Sequence, residues 1–401
     1  MKIRSITCFI HPEKITNSAL QDLAAKVDQL AGQFKRAGWE VQSRRMATVP
    51  FGQYTNQKNA VEVITALEKK ATGLGFNYLS VGPARMLHRN DYALIPEILT
   101  ATENVFATGI MTHPHRGISI EAIQDCAQII TKIAPATPDG FTNLRFCAMS
   151  AVNPFTPFFP AAYGYGPGPS FSLAIECADA AVDAFSTAAT VAEGKLKLLK
   201  ALNKAANVLQ QVILKANLQW EMPFKGFDFS LAPFPQDWCS LAGAIEQLGV
   251  PRIGMMGSLS AAAILAETLD RGEWRHVGFN GLMLPVLEDS ILAQRSIEGT
   301  FTVKDLLMYS AVCGTGLDTV PLPGNVSKDA IAALLMDVAA LSLRLHKPLT
   351  ARLMPVPGLK AGEMTAYDFE FFENGKTLDY PAEKLGKAFS KSRWVEIASR
   401  F

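Results

Sequence analysis

The sequence carries almost no excess of one charge: 38 Lys and Arg stand against 37 Asp and Glu, a net +1. That removes the field that would draw a chain onto nucleic acid or an anionic membrane, and neither is expected as a partner. No C-x-x-C pair occurs; Cys8, Cys126, Cys147, Cys177, Cys239 and Cys313 are scattered singly. An N-terminal apolar segment with a small-residue cleavage site is also missing, so the reading is a cytoplasmic protein with free thiols in a reducing compartment. Apolar runs are short. SLSAAAILAETL near residue 258 meets a charge well before the ~20 residues of a bilayer span, and no membrane segment is expected. Neither G-x-x-x-x-G-K-[ST] nor G-x-G-x-x-G is present, and the stretch GYGPG contains a proline without the N–H that a phosphate cradle needs. Nucleotide binding by a familiar motif is therefore not expected.

What is present is apolar: 49% of the 401 residues are hydrophobic and 19% charged, enough for a thick core in two domains or one barrel-like unit. Short β-prone runs recur along the chain: IRSITCFI (3–10), EVQSR (40–44), NYLSVG (77–82), VFATGIMT (105–112), LRFCAMSA (144–151) and FSLAIEC (171–177) in the first half. FDFSLA (227–232), RIGMM (252–256), GLMLPVL (281–287), LDTVPL (317–322) and LTARLMPV (349–356) follow. Amphipathic helix patterns lie between most of them. NSALQDLAAKVDQLAGQFKRAG has apolar residues at helical spacing, and SKDAIAALLMDVAALSLRLHKP has Ser327 as cap and Pro348 beyond its end. The Lys-rich run from Ala192 to Trp220 reads as a long helix with a solvated face. Such alternation predicts one continuous α/β unit over residues 1–356, with ligand sites at the carboxyl ends of its strands. Residues 357–401 change character and read as an appendage, in which Asn374-Gly375 predicts a β-hairpin turn.

Candidate chemistry collects in the loops after the strands. THPHRG offers His113, His115 and Arg116; an H-x-H at a strand end can hold a divalent metal, and otherwise these side chains face solvent or substrate. NPFTPFFPAAYGYGPGP (153–169), which holds Asn153 and Tyr163, is too rich in Pro and Gly for regular structure and reads as a lid or wall over a pocket, or as a packed loop. Asp228 and Ser230 in DFSLAPFP, with Glu288 and Asp289 in PVLEDSI, supply carboxylates that can divide acid and base roles. Glu288 and Asp289 suit a helix N-terminus equally well. AVCGTGLDTVPLPGN (311–325) brings Cys313 and Asp318 together with Gly314 and Gly316, which suit the turn after a helix capped by Thr302. A thiol at that helix end feels the negative end of the dipole, which disfavours a ready thiolate.

DFSLAPFP, GFNGLMLPVLEDSI, CGTGLDTVPLPG, the NPF of 153–155 and the opening KIRSITCFI resemble the domain-of-unknown-function 711 proteins, also called uncharacterised protein family 0210. The resemblance implies a ten-stranded α/β barrel similar to that of pyruvate formate-lyase-like glycyl radical enzymes, with a central finger loop. Arg275-His276-Val277-Gly278-Phe279 echoes the radical motif R-V-x-G-[FYW] with its valine one place late and far from the C-terminus, so no glycyl radical is expected. This chain has THPHRG where relatives have a Gly/Ser-rich stretch, and Tyr163-Gly164 where they tend to have His-Gly, which implies a different substrate. Relatives carry cysteine at the position of Cys313 and Gly-Leu-Asp at 316–318, which places Cys313 and Asp318 at the barrel centre, the thiol activated by a bound substrate or metal.

Two functions follow. The first is an enzyme doing non-radical acid–base or thiol chemistry, as a lyase, isomerase or hydrolase, on a small polar metabolite at the barrel mouth. Cys313, Asp318, Glu288, Asp289 and Asp228 would then be catalytic, and His113, His115, Arg116, Asn153, Ser230 and Tyr163 would bind substrate. The alternative is a non-catalytic small-molecule-binding or regulatory protein on the same barrel, since fold alone does not choose. The cofactor is unknown, and a divalent metal and a homo-oligomeric state stay open.

Overall fold

The first strand shows how the sheet is built. In β1 (Lys2–Ile10) every residue from Arg4 onward but Arg4 itself is buried, so both faces are covered. Such burial on both faces belongs to strands of a sheet layered between other elements. A computed structural model describes residues 1–220, 222–312 and 315–400, and of 217–220 the backbone alone. After β1 come α1 (Asn17–Arg36), β2 (Arg44–Thr48), α2 (Ala60–Gly73), β3 (Tyr78–Ala84), α3 (Arg89–Thr100) and β4 (Val105–Ile110). A small hairpin, β5 (Thr112–His113) and β6 (Gly117–Ser119), leads to α4 (Ile120–Ile133), β7 (Phe146–Ser150), β8 (Ser170–Glu176), α5 (Ala178–Ser186), the long α6 (Val191–Trp220) and β9 (Phe224–Asp228). The second half runs α7 (Leu241–Gln247), α8 (Ser258–Asp270), α9 (Ser290–Glu298), α10 (Val303–Ser310), β10 (Gly316–Pro323), α11 (Lys328–Leu345), β11 (Leu349–Val356), α12 (Lys387–Lys391) and β12 (Trp394–Val395).

Nine strands form one sheet in the order β10-β11-β7-β4-β3-β2-β1-β8-β9, and β12-β6-β5 form a second small sheet. From β1 through β2, β3, β4 to β7 all pairs are parallel, while β8 on β1 and β11 on β7 are antiparallel. Helix starts follow local capping rules: Thr16, Ser119, Ser240, Asp289 and Ser327 each accept a bond from a first-turn N–H, and Thr302 with Asp305 forms a capping box. Each such cap is worth about 1 kcal/mol.

The expected ten-stranded closed barrel is not what the structure shows. RIGMM forms turns rather than a strand, and GLMLPVL makes only isolated bridges, from Leu282 to Leu231 and from Pro285 to Asp318. The cause is local. Gly278 (φ +77°) and Asn280 (φ +45°) take left-handed conformations, and Pro285 has no N–H to extend a ladder. The segment thus spans the two edges of a curled, open sheet without becoming a strand. The C-terminal residues are not a two-residue hairpin at Asn374-Gly375 either: Met364 bridges Lys376, and the Asn374 side chain accepts from the Tyr367 N–H inside the loop. Tyr367 and Phe372 pack with Leu144, Leu287, Met354 and Val356, so this region is bound into the main body.

Gly278 also marks a close approach, since a Cβ there would lie 2.2 Å from Asp228 Oδ2. Asp228 accepts from the N–H groups of Phe279, Asn280 and Ser230 and from Ser230 Oγ. Gly278→Ala is expected to cost about 3 kcal/mol, left-handed strain and a broken carboxylate cradle combined. A chemical-denaturation midpoint unchanged from wild type would contradict this.

Candidate functional site

Arginines stand inside three largely buried strands: Arg4 in KIRSITCFI, Arg45 in RRMAT and Arg352 in LTARLMPV. Burying a guanidinium is expensive unless it is paired, so each position demands an account. For two of them the account is a chain of ion pairs. Glu176 at the end of β8 accepts from Arg4 at 2.9 Å, and Arg4 also reaches Glu288 at 3.1 Å. Glu288 accepts from Arg352 at 2.7 Å, and Arg352 donates through Nε to Asp318 at 2.5 Å. None of these five side chains is more than 18% exposed, which puts the chain in the class of buried rather than surface pairs.

The network borders a cavity of about 400 Å³. Arg4, Arg45, Arg352, Glu288 and Asp318 line it, facing rings from Phe106, Phe158, Phe159 and Phe279. Phe158 to Ala161 of the Pro- and aromatic-rich loop form part of its wall, as one reading of that loop expects, and Phe369, Glu370 and Phe371 of the C-terminal region form another part. Arg4 lies over the Phe371 ring at 5.5 Å.

Burial raises the pKa of Asp318, the Arg352 cation lowers it, and the nearby Glu288 carboxylate raises it again; the net direction is upward. Arg352 faces both carboxylates and is pushed above its ordinary value despite burial, so it keeps its proton. Burial raises Glu176 as well, but Glu176 does not line the cavity and Asp318 does. The backbone next to it is irregular. Thr319, β-branched, holds φ +37°, and the register of β10 on β11 shifts between Leu317 and Val320. A bulge of this kind re-aims a side chain at a sheet edge, and here the residue beside it is Asp318.

The structure brings Asp318 and Glu288 together on Arg352 and separates the other candidates. Asp228 and Ser230 are fully buried and bonded to each other at 2.6 Å, and Ser230 Oγ accepts from the Gly281 N–H. Asp289 accepts from Ser240 Oγ and from the N–H groups of Ala242 and Leu292, joining the starts of α7 and α9. Burial raises the pKa values of Asp228 and Asp289, each against the hydrogen bonds it accepts. Tyr163 donates to the Val152 carbonyl, burial pushing its phenol up to about 12, and Asn153 is exposed. His113, His115 and Arg116 occupy the β5–β6 hairpin, with Arg116 over Trp394 at 5.6 Å. None of the three lines the cavity, and among the described residues no group of three His, Cys, Asp or Glu side chains converges as a metal site. Cys313 and Gly314 lie outside the described residues; Thr315 lines the cavity. Gly316 has the expected positive φ, +96°, but opens β10 rather than closing a helix. The other five cysteines are buried and free. Sequence reasoning missed Arg4, Arg45, Arg352 and Glu176; for Arg352 and Glu176 the available signal was the single charge in a β-prone run.

Two outcomes are expected. Arg352→Met leaves Asp318 buried without its cation beside Glu288, which Arg4 still holds, and should cost about 3–5 kcal/mol, much of it recovered in the triple variant with Glu288→Gln and Asp318→Asn. Equal denaturation midpoints for wild type and Arg352→Met would refute the network's role. The raised pKa of Asp318 contributes stability that is full below the unfolded value of about 4 and lost as pH rises through the folded value. Wild type should therefore lose stability relative to Asp318→Asn as pH rises from about 4, measured by urea unfolding at several pH values.

Comparison with known proteins places the chain. A family model described as "Uncharacterised ACR (DUF711)" matches residues 1–372. A UPF0210 protein of Pyrobaculum aerophilum is 30% identical over 371 residues, covering 88% of this chain and 81% of its own. A UPF0210 protein of Pyrobaculum arsenaticum is 31% identical, covering 76% and 70%, and one from Clostridium botulinum strain Alaska E43 is 27% identical, covering 88% and 82%. Among solved structures an anaerobic ribonucleotide reductase is matched at 7% identity with a TM-score of 0.35, over 88% of this chain and 70% of that one. The sequence matches run through both halves of the cavity wall, from β1 to the Phe369–Phe371 stretch, and the chain belongs to the DUF711 (UPF0210) family.

Proposed function

We propose that the chain is an enzyme that moves a proton to or from a small polar metabolite held in the cavity, with Asp318 as the acid–base group. The observation that carries this reading is a buried carboxyl of raised pKa beside a second carboxyl held by two guanidiniums, at the wall of a cavity of ligand size. Two carboxyls whose surroundings differ in this way are how one site separates acid from base roles. Arg352 orients Asp318 through Nε and Glu288 through Nη2, so a single planar group fixes both. Cys313 stays in the proposal as a thiol two residues from a cavity-lining position. A lyase, an isomerase and a hydrolase share this proton step. The alternative, a non-catalytic binding protein, draws support from the aromatic wall, which can hold a ligand without chemistry.

The test is a metabolite screen read by thermal shift, followed by product detection for every ligand found. Asp318→Asn should bind those ligands, keep its fold and lose at least about 100-fold in turnover. Full turnover in Asp318→Asn would sink the acid–base reading, and binding without product for any ligand would favour the alternative.

A further inference from the structure

Arg45 is one of two cavity-lining arginines, with Arg145, that the ion-pair chain does not account for. It sits on β2 and is 8% exposed. Its Nε donates to Ser43 Oγ at 2.9 Å, and Ser43 Oγ in turn donates to the Arg4 carbonyl at 2.7 Å. Its guanidinium lies over the rings of Tyr78 and Phe159, 5.6 and 5.2 Å from their centroids. Among the described residues no carboxylate pairs with it, and neither terminal nitrogen donates to a protein acceptor. Arg4 and Arg352 are paired, and Arg145 spends its donors on the carbonyls of Leu99, Thr102 and Val105. Burial, with Arg4 and Arg352 nearby, drives the Arg45 cation down to about 9, the mark of a charge held without its counter-ion.

The fork of Arg45 is fixed at its base by Ser43 and on its face by aromatic rings, which leaves its terminal edge for a bidentate acceptor. We propose that this edge binds the carboxylate of a small organic acid whose apolar body lies against the cavity's phenylalanines. A carboxylate fits better than a phosphate monoester. One unpaired cation balances one negative charge, whereas a phosphate brings nearly two at neutral pH into a cavity already lined by Glu288, Asp318 and Glu370. Phe106, Phe158, Phe159 and Phe279 supply the apolar surface for the ligand's body, while the other arginines of the lining already have protein acceptors. This inference rests on the cavity being the ligand site and names the substrate class for it.

The experiment uses the full-length protein and pairs of probes that differ only in charge: phenylacetate with phenylacetamide, benzoate with benzamide, hexanoate with hexanamide, and phenyl phosphate. At least one acid should raise the melting temperature and bind by calorimetry, while its amide and phenyl phosphate bind at least ~10-fold more weakly. Arg45→Met should lose about 10- to 100-fold in affinity for that acid, and Arg45→Lys less. Without ligand, Arg45→Met should melt at or above the wild-type temperature, because it removes an uncompensated buried charge; a merely structural arginine would give the opposite sign. Acids that bind no better than their amides, or an Arg45→Met variant that binds the acid as wild type does, would overturn the inference. The outcome separates the two readings: Arg45-dependent binding of an acid together with full turnover in Asp318→Asn defeats only the acid–base reading, and turnover of an uncharged substrate that ignores Arg45 defeats only this assignment.

Discussion

Everything near the cavity depends on Glu288 standing between two guanidiniums that belong to distant strands. Arg4 is on β1 and Arg352 on β11, with β2, β3, β4 and β7 between them in the sheet. Flat, that is five strand spacings, or about 24 Å at about 4.8 Å each. One carboxylate cannot accept from both unless the sheet curls, so the ion-pair chain and the curvature are a single constraint. Removing Arg4 strands Glu176 and removing Arg352 strands Asp318, while Glu288 keeps one cation in either case, which is why such networks act together rather than pair by pair.

The segment that delivers Glu288 is irregular because of what it must satisfy on the way. From Gly278 to Asn280 it wraps the buried Asp228 carboxylate with backbone N–H groups, a curvature that needs left-handed backbone. It then touches β10 at Asp318 and runs into α9, whose cap, Asp289, also bonds the start of α7. Asp228 and Asp289 are therefore carboxylates spent on holding backbone in place, and Glu288 and Asp318 are those left facing the cavity. Adjacent residues in PVLEDSI thus serve different ends, which no spacing rule separates.

Local signals were readable and long-range ones were not. The alternation of β-prone runs with capped helices gave most of the strands, the caps at Thr302 and Ser327, and the long helix from Val191, because each is decided within a few residues. Glu288 stands out by its place after a β-prone run and Asp318 by its polar loop, but the barrel that the resemblance implies overstates the regularity of 281–287, where Pro285 and the preceding left-handed residues break the ladder. Asn374-Gly375 misled because its amide side chain satisfies a wider loop rather than a tight turn. The arginines escaped notice because pairing between residues as far apart as Arg4 and Glu288 leaves no trace in a window. A charge such as Arg352, isolated in LTARLMPV, is the trace that does exist.

The segment from Arg275 to Val286 has one more consequence, for how this molecule meets others. An open sheet of nine strands ends in two rows of backbone groups, each a template onto which another chain could add a strand. Here the outer side of β9 exchanges bonds with Arg275 and Val277 at Phe227, and the outer side of β10 receives the Val286 N–H at Asp318 and the Leu378 N–H at Pro321. At these positions the chain itself occupies the rim, so an incoming strand would meet backbone groups already bonded there.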